Sequence, residues 1–238
     1  QDDKEVRFVE MHIGEMIYND LSPGRRSELH YKLAELFYSI GTENLNSTNI
    51  VLMTKSYNQS LERIRENGEF EKVAMLNYRA GKILEQDRSL DQARYFYKMS
   101  AELLNECSLE SVREQVYTIY MDRARIEYFL GEYDLAEIHL DYLLERITDP
   151  LKRAKVFEQK ITINNHLGRY QKVVHIVKEI LAELGLELPL AEEKLLRELN
   201  KLKEILHDRE NGKETRALSN GLHLEYDEAI IKLLYIGG

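Results

Sequence analysis

Seven histidines, one cysteine and forty-two carboxylates are the groups in this chain able to bind a metal or move a proton. Their spacing does not build a site. No His-Glu-x-x-His pair occurs, and Cys107 has no Cys-x-x-Cys partner. His166 and His175 flank one turn, but no carboxylate pair is fixed beside them, so they read as surface or packing histidines. Glu192-Glu193 reads as a solvated helix face, and Cys107 as a small buried hydrophobe. Gly81-Lys82 and Gly212-Lys213 lack both the earlier glycine and the following hydroxyl of a phosphate-binding loop. Ser22-Pro23-Gly24-Arg25-Arg26 is a capped helix start with two adjacent arginines, a pattern that can hold an anion. No catalytic, cofactor-binding or metal-binding residue follows from these patterns, and no cofactor is expected.

Composition narrows the classes further. Of 238 residues, 43% are hydrophobic and 32% charged, which fits a folded chain with a substantial core. Only 3 prolines and 12 glycines leave little room for the turns of an all-β fold. The formal net charge of −9 argues against nucleic acid as the partner of the whole surface. One cysteine excludes an intrachain disulfide and points to a reducing compartment, so the expected localisation is cytoplasmic. No apolar run approaches the about 20 residues that span a bilayer. "QDDKEVRF" is not a signal peptide, and both ends read as cuts in a longer protein.

The elements that must position any site are helices. Apolar residues recur at three- and four-residue steps, as in Leu29, Leu33, Leu36 and Phe37, or Leu135, Ile138, Tyr142 and Ile147. Ser22-Pro23 and Asp149-Pro150 are start signals; Ser89 with Gln92 and Ser111 with Glu114 have capping-box spacing. Gly41, Gly68, Gly131 and Gly168 sit where helices should stop. The pattern predicts about twelve helices of about 12 to 20 residues, packed antiparallel. Residues 41–49 are the most loop-like early connection, and residues 207–221 the weakest helical stretch.

Two stretches then repeat each other. Aligning Gly131 with Gly168 brings Tyr133 onto Tyr170, Ala136 onto Val173, Leu140 onto Val177 and Leu143 onto Ile180. A third copy upstream places Gly81 and Ala93 at the same separation as Ala124 and Ala136. This is tetratricopeptide (TPR) logic: helix A, a glycine turn, an aromatic, a small residue, helix B. Repeats begin at Ala74, Tyr117 and Ala154, with spacings of 43 and 37, against about 34 for the usual repeat. The expected fold class is all-α, a right-handed α-α superhelix of antiparallel hairpins. Residues 1–66 are expected as N-terminal helices, 67–187 as TPR-like repeats (74–107, 117–150 and 154–187), and 188–238 as capping helices, with 222–235 an apolar-striped helix. The tyrosines Tyr95, Tyr97, Tyr117, Tyr120, Tyr128 and Tyr133 are expected to pack between hairpins.

Helix-A positions two, five, nine and twelve of such repeats tend to face the concave wall. They give Met75, Tyr78, Lys82 and Glu85; Thr118, Met121, Arg125 and Tyr128; and Lys155, Glu158, Thr162 and Asn165. Lys82 and Arg125 share one position and Lys155 adds a third cation, a wall that suits an acidic peptide or a terminal carboxylate.

Residues 8–37, with Tyr18, Arg26 and Leu29-His30, and residues 71–104 and 181–189 together resemble the helical region of large bacterial STAND-type ATPase regulators. In that family the region lies beside kinase-like, ATPase, GAF and histidine-kinase domains. Glu10-Met11 stand where the family has His-Asp. The resemblance implies a non-enzymatic scaffold that binds a protein, a peptide or neighbouring domains. The alternative is a small-molecule sensor, whose inducer pocket would use Tyr78, Met121 and Tyr128. A nucleic-acid-binding repeat, an enzyme and a purely structural spacer are further readings; the first two lack a basic stripe and a titratable cluster respectively.

Overall fold

The computed structural model describes residues 11–183, and every regular element among them is an α-helix. Ten helices follow in order among these residues: α1 (Met11–Asp20), α2 (Pro23–Ser39), α3 (Ser47–Asn58), α4 (Leu61–Asn67), α5 (Phe70–Gln86), α6 (Leu90–Leu104), α7 (Arg113–Phe129), α8 (Tyr133–Leu144), α9 (Pro150–His166) and α10 (Tyr170–Glu183). The expected helices of 188–238, including 222–235, and the weak stretch 207–221 lie outside the described residues. The chain divides into two compact units, Gln1–Ile119 and Tyr120–Gly238, with the boundary inside α7.

Local chemistry sets the helix ends. Ser22 Oγ accepts from the Arg25 amide at 3.4 Å with Pro23 at the first helical turn, and Asp149 Oδ1 accepts from the amides of Leu151 and Lys152 at 2.9 and 3.2 Å. Both start signals are therefore used. Asn46 caps α3 through the Asn49 amide at 2.8 Å, so the 41–49 connection ends earlier than its composition suggests. The capping box at Ser89 is not formed as the spacing predicts. Ser89 makes no side-chain cap hydrogen bond; Ser111 donates to the Ser108 carbonyl at 2.8 Å, two residues before α7 begins.

In the first unit, α2 packs on α3 and α4, α3 on α5, and α5 on α6. Its core holds Met53, Tyr57, Ile64, Phe96, Tyr97 and Leu104, all fully buried. Each such side chain contributes about 1.5–3 kcal/mol by leaving water. Polar side chains between the helices are paired at two places: Asn58 and Asn77 exchange amide hydrogen bonds of 2.8 Å between α3 and α5, and Ser100 donates to the Ala74 carbonyl at 2.7 Å. The stripe Leu29, Leu33 and Leu36 does not face this core; the three are 45%, 38% and 63% exposed, while Ala34 is fully buried. The opposite face of α2 carries the packing. Small Ala34 permits close approach there, and Tyr31 and Glu35 on that side make hydrogen bonds to Glu69 and from Tyr57.

In the second unit, α8 packs on α9 and α9 on α10. Ile126, Leu140, Leu143, Phe157 and Ile161 form its core. Here too the sequence stripe is displaced: Leu135 and Ile138 are exposed, and Ala136, Leu140 and Leu143 face inward.

One hairpin turn occurs four times in the same register among the described residues: at Gly68 (φ 68°, with the Glu69 amide bonding back to Ile64 at 3.0 Å and that of Val73 to Glu69 at 3.1 Å) and at the three predicted repeats. Arg88, Gly131 and Gly168 each have a left-handed backbone, with φ of 58°, 80° and 65°. After each, an amide bonds back five residues: Ser89 to Leu84, Glu132 to Glu127 and Arg169 to Asn164, all at 2.8 Å. The next helix then closes on a small side chain, with the amides of Ala93, Ala136 and Val173 donating to the carbonyls of Ser89, Glu132 and Arg169 at 2.9, 3.0 and 3.1 Å. The spacings of 43 and 37 read from sequence are the spacings of this turn. The α5–α6 copy has arginine where the others have glycine.

Candidate functional site

The first repeat's wall residues open onto a real depression. Met75, Tyr78 and Lys82 of α5 line a groove of about 480 Å³, together with Lys72, Leu76 and Arg79 of α5 and with Tyr38 and Thr42 at the end of α2. Glu85 is not part of this lining. Its carboxylate accepts the Tyr97 hydroxyl at 2.6 Å and lies 3.5 Å from Lys82 Nζ. The working face is thus rotated along α5 toward Lys72 and Arg79. Residues 72, 75, 79 and 82 follow the three-and-four step of one helical face, a signal available in the sequence. Tyr38 and Thr42 carried no such signal, because they precede the first recognisable repeat.

The wall of this groove is fixed by a polar network beneath it. Lys72 Nζ donates to Glu35 at 3.0 Å and to Glu69, and lies 4.8 Å from the Tyr38 ring centre and 5.0 Å from that of Tyr57. Tyr57 donates to the same Glu35 at 2.6 Å, and Tyr31 to Glu69 at 2.7 Å. Burial works against the ammonium of Lys72, but the hydrogen bonds to Glu69 and Glu35 outweigh it and hold its pKa above the ordinary value. Lys72 therefore stays charged.

The remaining wall residues lie around and beyond the unit boundary and form separate environments. Thr118 is exposed and donates to the Glu114 carbonyl at 2.9 Å. Met121 is half-buried. Arg125 Nη2 donates to Asp122 at 2.6 Å. Tyr128 joins an aromatic cluster, its ring centre 5.8 Å from that of Tyr133 and 5.6 Å from that of His166, while the Tyr133 hydroxyl meets His166 Nε2 at 3.0 Å. Lys155 is exposed, the Glu158 carbonyl accepts the Thr162 hydroxyl at 2.9 Å, and Asn165 is half-buried. Lys82 and Arg125 are not bare cations: each has an acid three residues away on its own helix.

Below α8 a second buried carboxylate ties three helices. Glu137, 9% exposed, accepts from Asn164 at 2.6 Å and from Lys172 at 2.7 and 2.8 Å, with Arg169 at 3.5 Å. Burial pushes its pKa up, but the Lys172 and Asn164 hydrogen bonds and the charges of Lys172 and Lys160 prevail and hold it below the ordinary carboxylate value.

Other sequence candidates are absorbed by the fold. Arg26 donates to the carbonyls of Leu21 and Asn19 at 3.0 and 2.6 Å and lies 5.1 Å from the Tyr18 ring centre, and Arg25 is 3.4 Å from Glu28. Arg26 thus ties the end of α1 to α2, and Arg25 pairs within α2. The Tyr18 hydroxyl is 2.7 Å from His30 Nε2, so the residues behind the resemblance at this end touch one another. Burial pushes the Cys107 thiol pKa up, away from a reactive thiolate. Tyr97 and Tyr120 are buried as packing residues, with Tyr120 stacked on Tyr142 at 4.1 Å; Tyr95 is 47% exposed.

Among the described residues no group of three or more His, Cys, Asp or Glu is placed to hold a metal ion, and no helix is long and apolar enough to cross a membrane. Comparison of the chain with protein-family models, with curated proteins and with solved structures finds no match.

Proposed function

We propose that this chain is a TPR-like interaction region, without catalytic chemistry of its own, of a multidomain bacterial signalling ATPase acting in the cytoplasm. Its helix hairpins are of the kind that stack into a superhelix, and the partner contacts lie on the first helix of each hairpin, α5, α7 and α9. A partner protein, a peptide or a neighbouring domain sits there. Different contacts in two states of the parent protein then bias its ATPase or output domain. The observation that carries this reading is the fourfold recurrence of one hairpin turn among the described residues, with its left-handed residue and its five-residue back bond in register. Hairpins of this kind leave an apolar face that a neighbour must cover, which is why they occur in stacks. The contact between Tyr18 and His30, two positions matching the STAND-type pattern, adds support at the other end of the chain.

Selection of a displayed random-peptide library on the purified chain tests the proposal. Recovery of peptides that compete with one another for the chain supports an interaction wall. Failure to recover any, combined with thermal stabilisation by a metabolite, contradicts it and favours the sensor reading.

A further inference from the structure

We propose that the groove between α2 and α5 takes an acidic peptide segment, with a carboxylate on Arg79 and an apolar side chain against Tyr38, Met75 and Tyr78. This rests on the interaction reading above and names the chemistry of its partner. Three of the groove's lining residues are cations, Lys72, Arg79 and Lys82, and none is a carboxylate. In a chain of net −9 the lining itself exposes cations and no carboxylate, while Glu35, Glu69 and Glu85 lie behind it against Lys72 and Lys82. The three cations are not equivalent. Lys72 is held by Glu35 and Glu69, and Lys82 lies 3.5 Å from Glu85. Arg79 is exposed and has no ion-pair partner among the described residues. Its planar guanidinium can take a carboxylate with two parallel hydrogen bonds. Lys72 stands two helical turns earlier on the same face, about 10 Å along the axis, with its charge already met by Glu35 and Glu69, so Arg79 is the cation offered to a bound chain. The apolar floor explains why the occupant is not an inorganic anion. Met75 is 37% and Tyr38 39% exposed, and both line the groove beside Tyr78. Tyrosines there offer large contact area at low entropic cost. The groove is open to solvent along its length, so a small acid would leave most of its surface wet, whereas a peptide lies across it.

The test is fluorescence anisotropy of the intact chain with two labelled peptides, one repeating glutamate, aspartate and leucine, the other glutamine, asparagine and leucine. The acidic peptide is expected to bind saturably and at least about tenfold tighter than its neutral counterpart. Arg79→Glu should weaken it by at least about tenfold, Arg79→Lys by less, because lysine keeps the charge but not the fork. Lys98→Glu, an equally exposed charge reversal on α6, should leave it unchanged, and circular dichroism of each variant reports that the fold persists. Equal binding of the two peptides overturns the acidic chemistry while leaving the interaction reading in place. Undiminished binding by Arg79→Glu, or no saturable binding of the acidic peptide, overturns the site. Displacement by a short single-stranded oligonucleotide that itself depends on Arg79 also overturns it, and assigns the groove to nucleic acid.

Discussion

At Gly81 the chain has no side chain because Tyr97 occupies the space. A Cβ there would lie 2.6 Å from the Tyr97 ring, which is fully buried and anchored to Glu85 by a 2.6 Å hydrogen bond. The next repeats place Ala124 with Leu140 and Ile161 with Val177 at these two register positions, trading volume between them. Gly81→Ala gains about 1 kcal/mol of helix propensity but meets an overpacking cost of about 1–3 kcal/mol. Urea unfolding should therefore show net destabilisation, and the same change in a Tyr97→Leu background should be neutral or stabilising; equal effects in both backgrounds would contradict the packing account. Glu137 supplies a second prediction. Its folded pKa lies below the ordinary value of 4.5, so its stabilisation is fully present above that value and is lost as pH falls through the folded pKa. Glu137→Gln keeps an acceptor for Asn164 but loses the charge facing Lys172. It should cost about 1.5–3 kcal/mol at neutral pH, and the gap from wild type should close in acid below the ordinary carboxylate range. A gap that stays constant with pH would assign the cost to packing alone.

The hairpin turn is the element that the sequence displayed most clearly, and it also shows where reading from sequence failed. Gly131 and Gly168 were legible because an unbranched left-handed position selects glycine. The α5–α6 copy was legible only through its small residues, since Arg88 adopts φ of 58° with a side chain attached, and the Gly68 turn was read only as a helix stop. Arg88→Gly should stabilise the α5–α6 hairpin by about 0.5–1 kcal/mol, the left-handed cost removed less the extra entropy of the unfolded glycine. Gly131→Ala should destabilise by about 1 kcal/mol through backbone strain, because a Cβ there meets no atom within 4 Å. Chemical denaturation of the pair checks both signs. Helix faces were less legible than helix existence. The Leu29, Leu33 and Leu36 stripe has good period but faces solvent, because Ala34 on the other side permits the closer approach and Tyr31 and Glu35 find polar partners there. On α5 the working face is rotated from the repeat rule for a related reason: Glu85 is claimed by Tyr97, while Lys72 is drawn to the groove edge by Glu35 and two tyrosine rings.

For the whole molecule, the useful contrast is between an acidic chain and a cationic groove. Attraction across such a groove weakens as salt screens it, over about 10 Å at 0.1 M ionic strength. The candidate wall was legible from sequence in the residue types of α5, α7 and α9. The acids that temper Lys82 and Arg125 became visible only once helix registers placed Glu85 and Asp122 beside them. The central claim is the proposal that a partner chain contacts the first helix of each hairpin, α5, α7 and α9. Hydrogen-exchange mass spectrometry of the chain, with and without a peptide recovered from the library, reads this most directly. The account predicts slowed exchange in segments 70–86, 113–129 and 150–166. Protection confined to 90–104, 133–144 and 170–183, or no protection at saturating peptide, would contradict it.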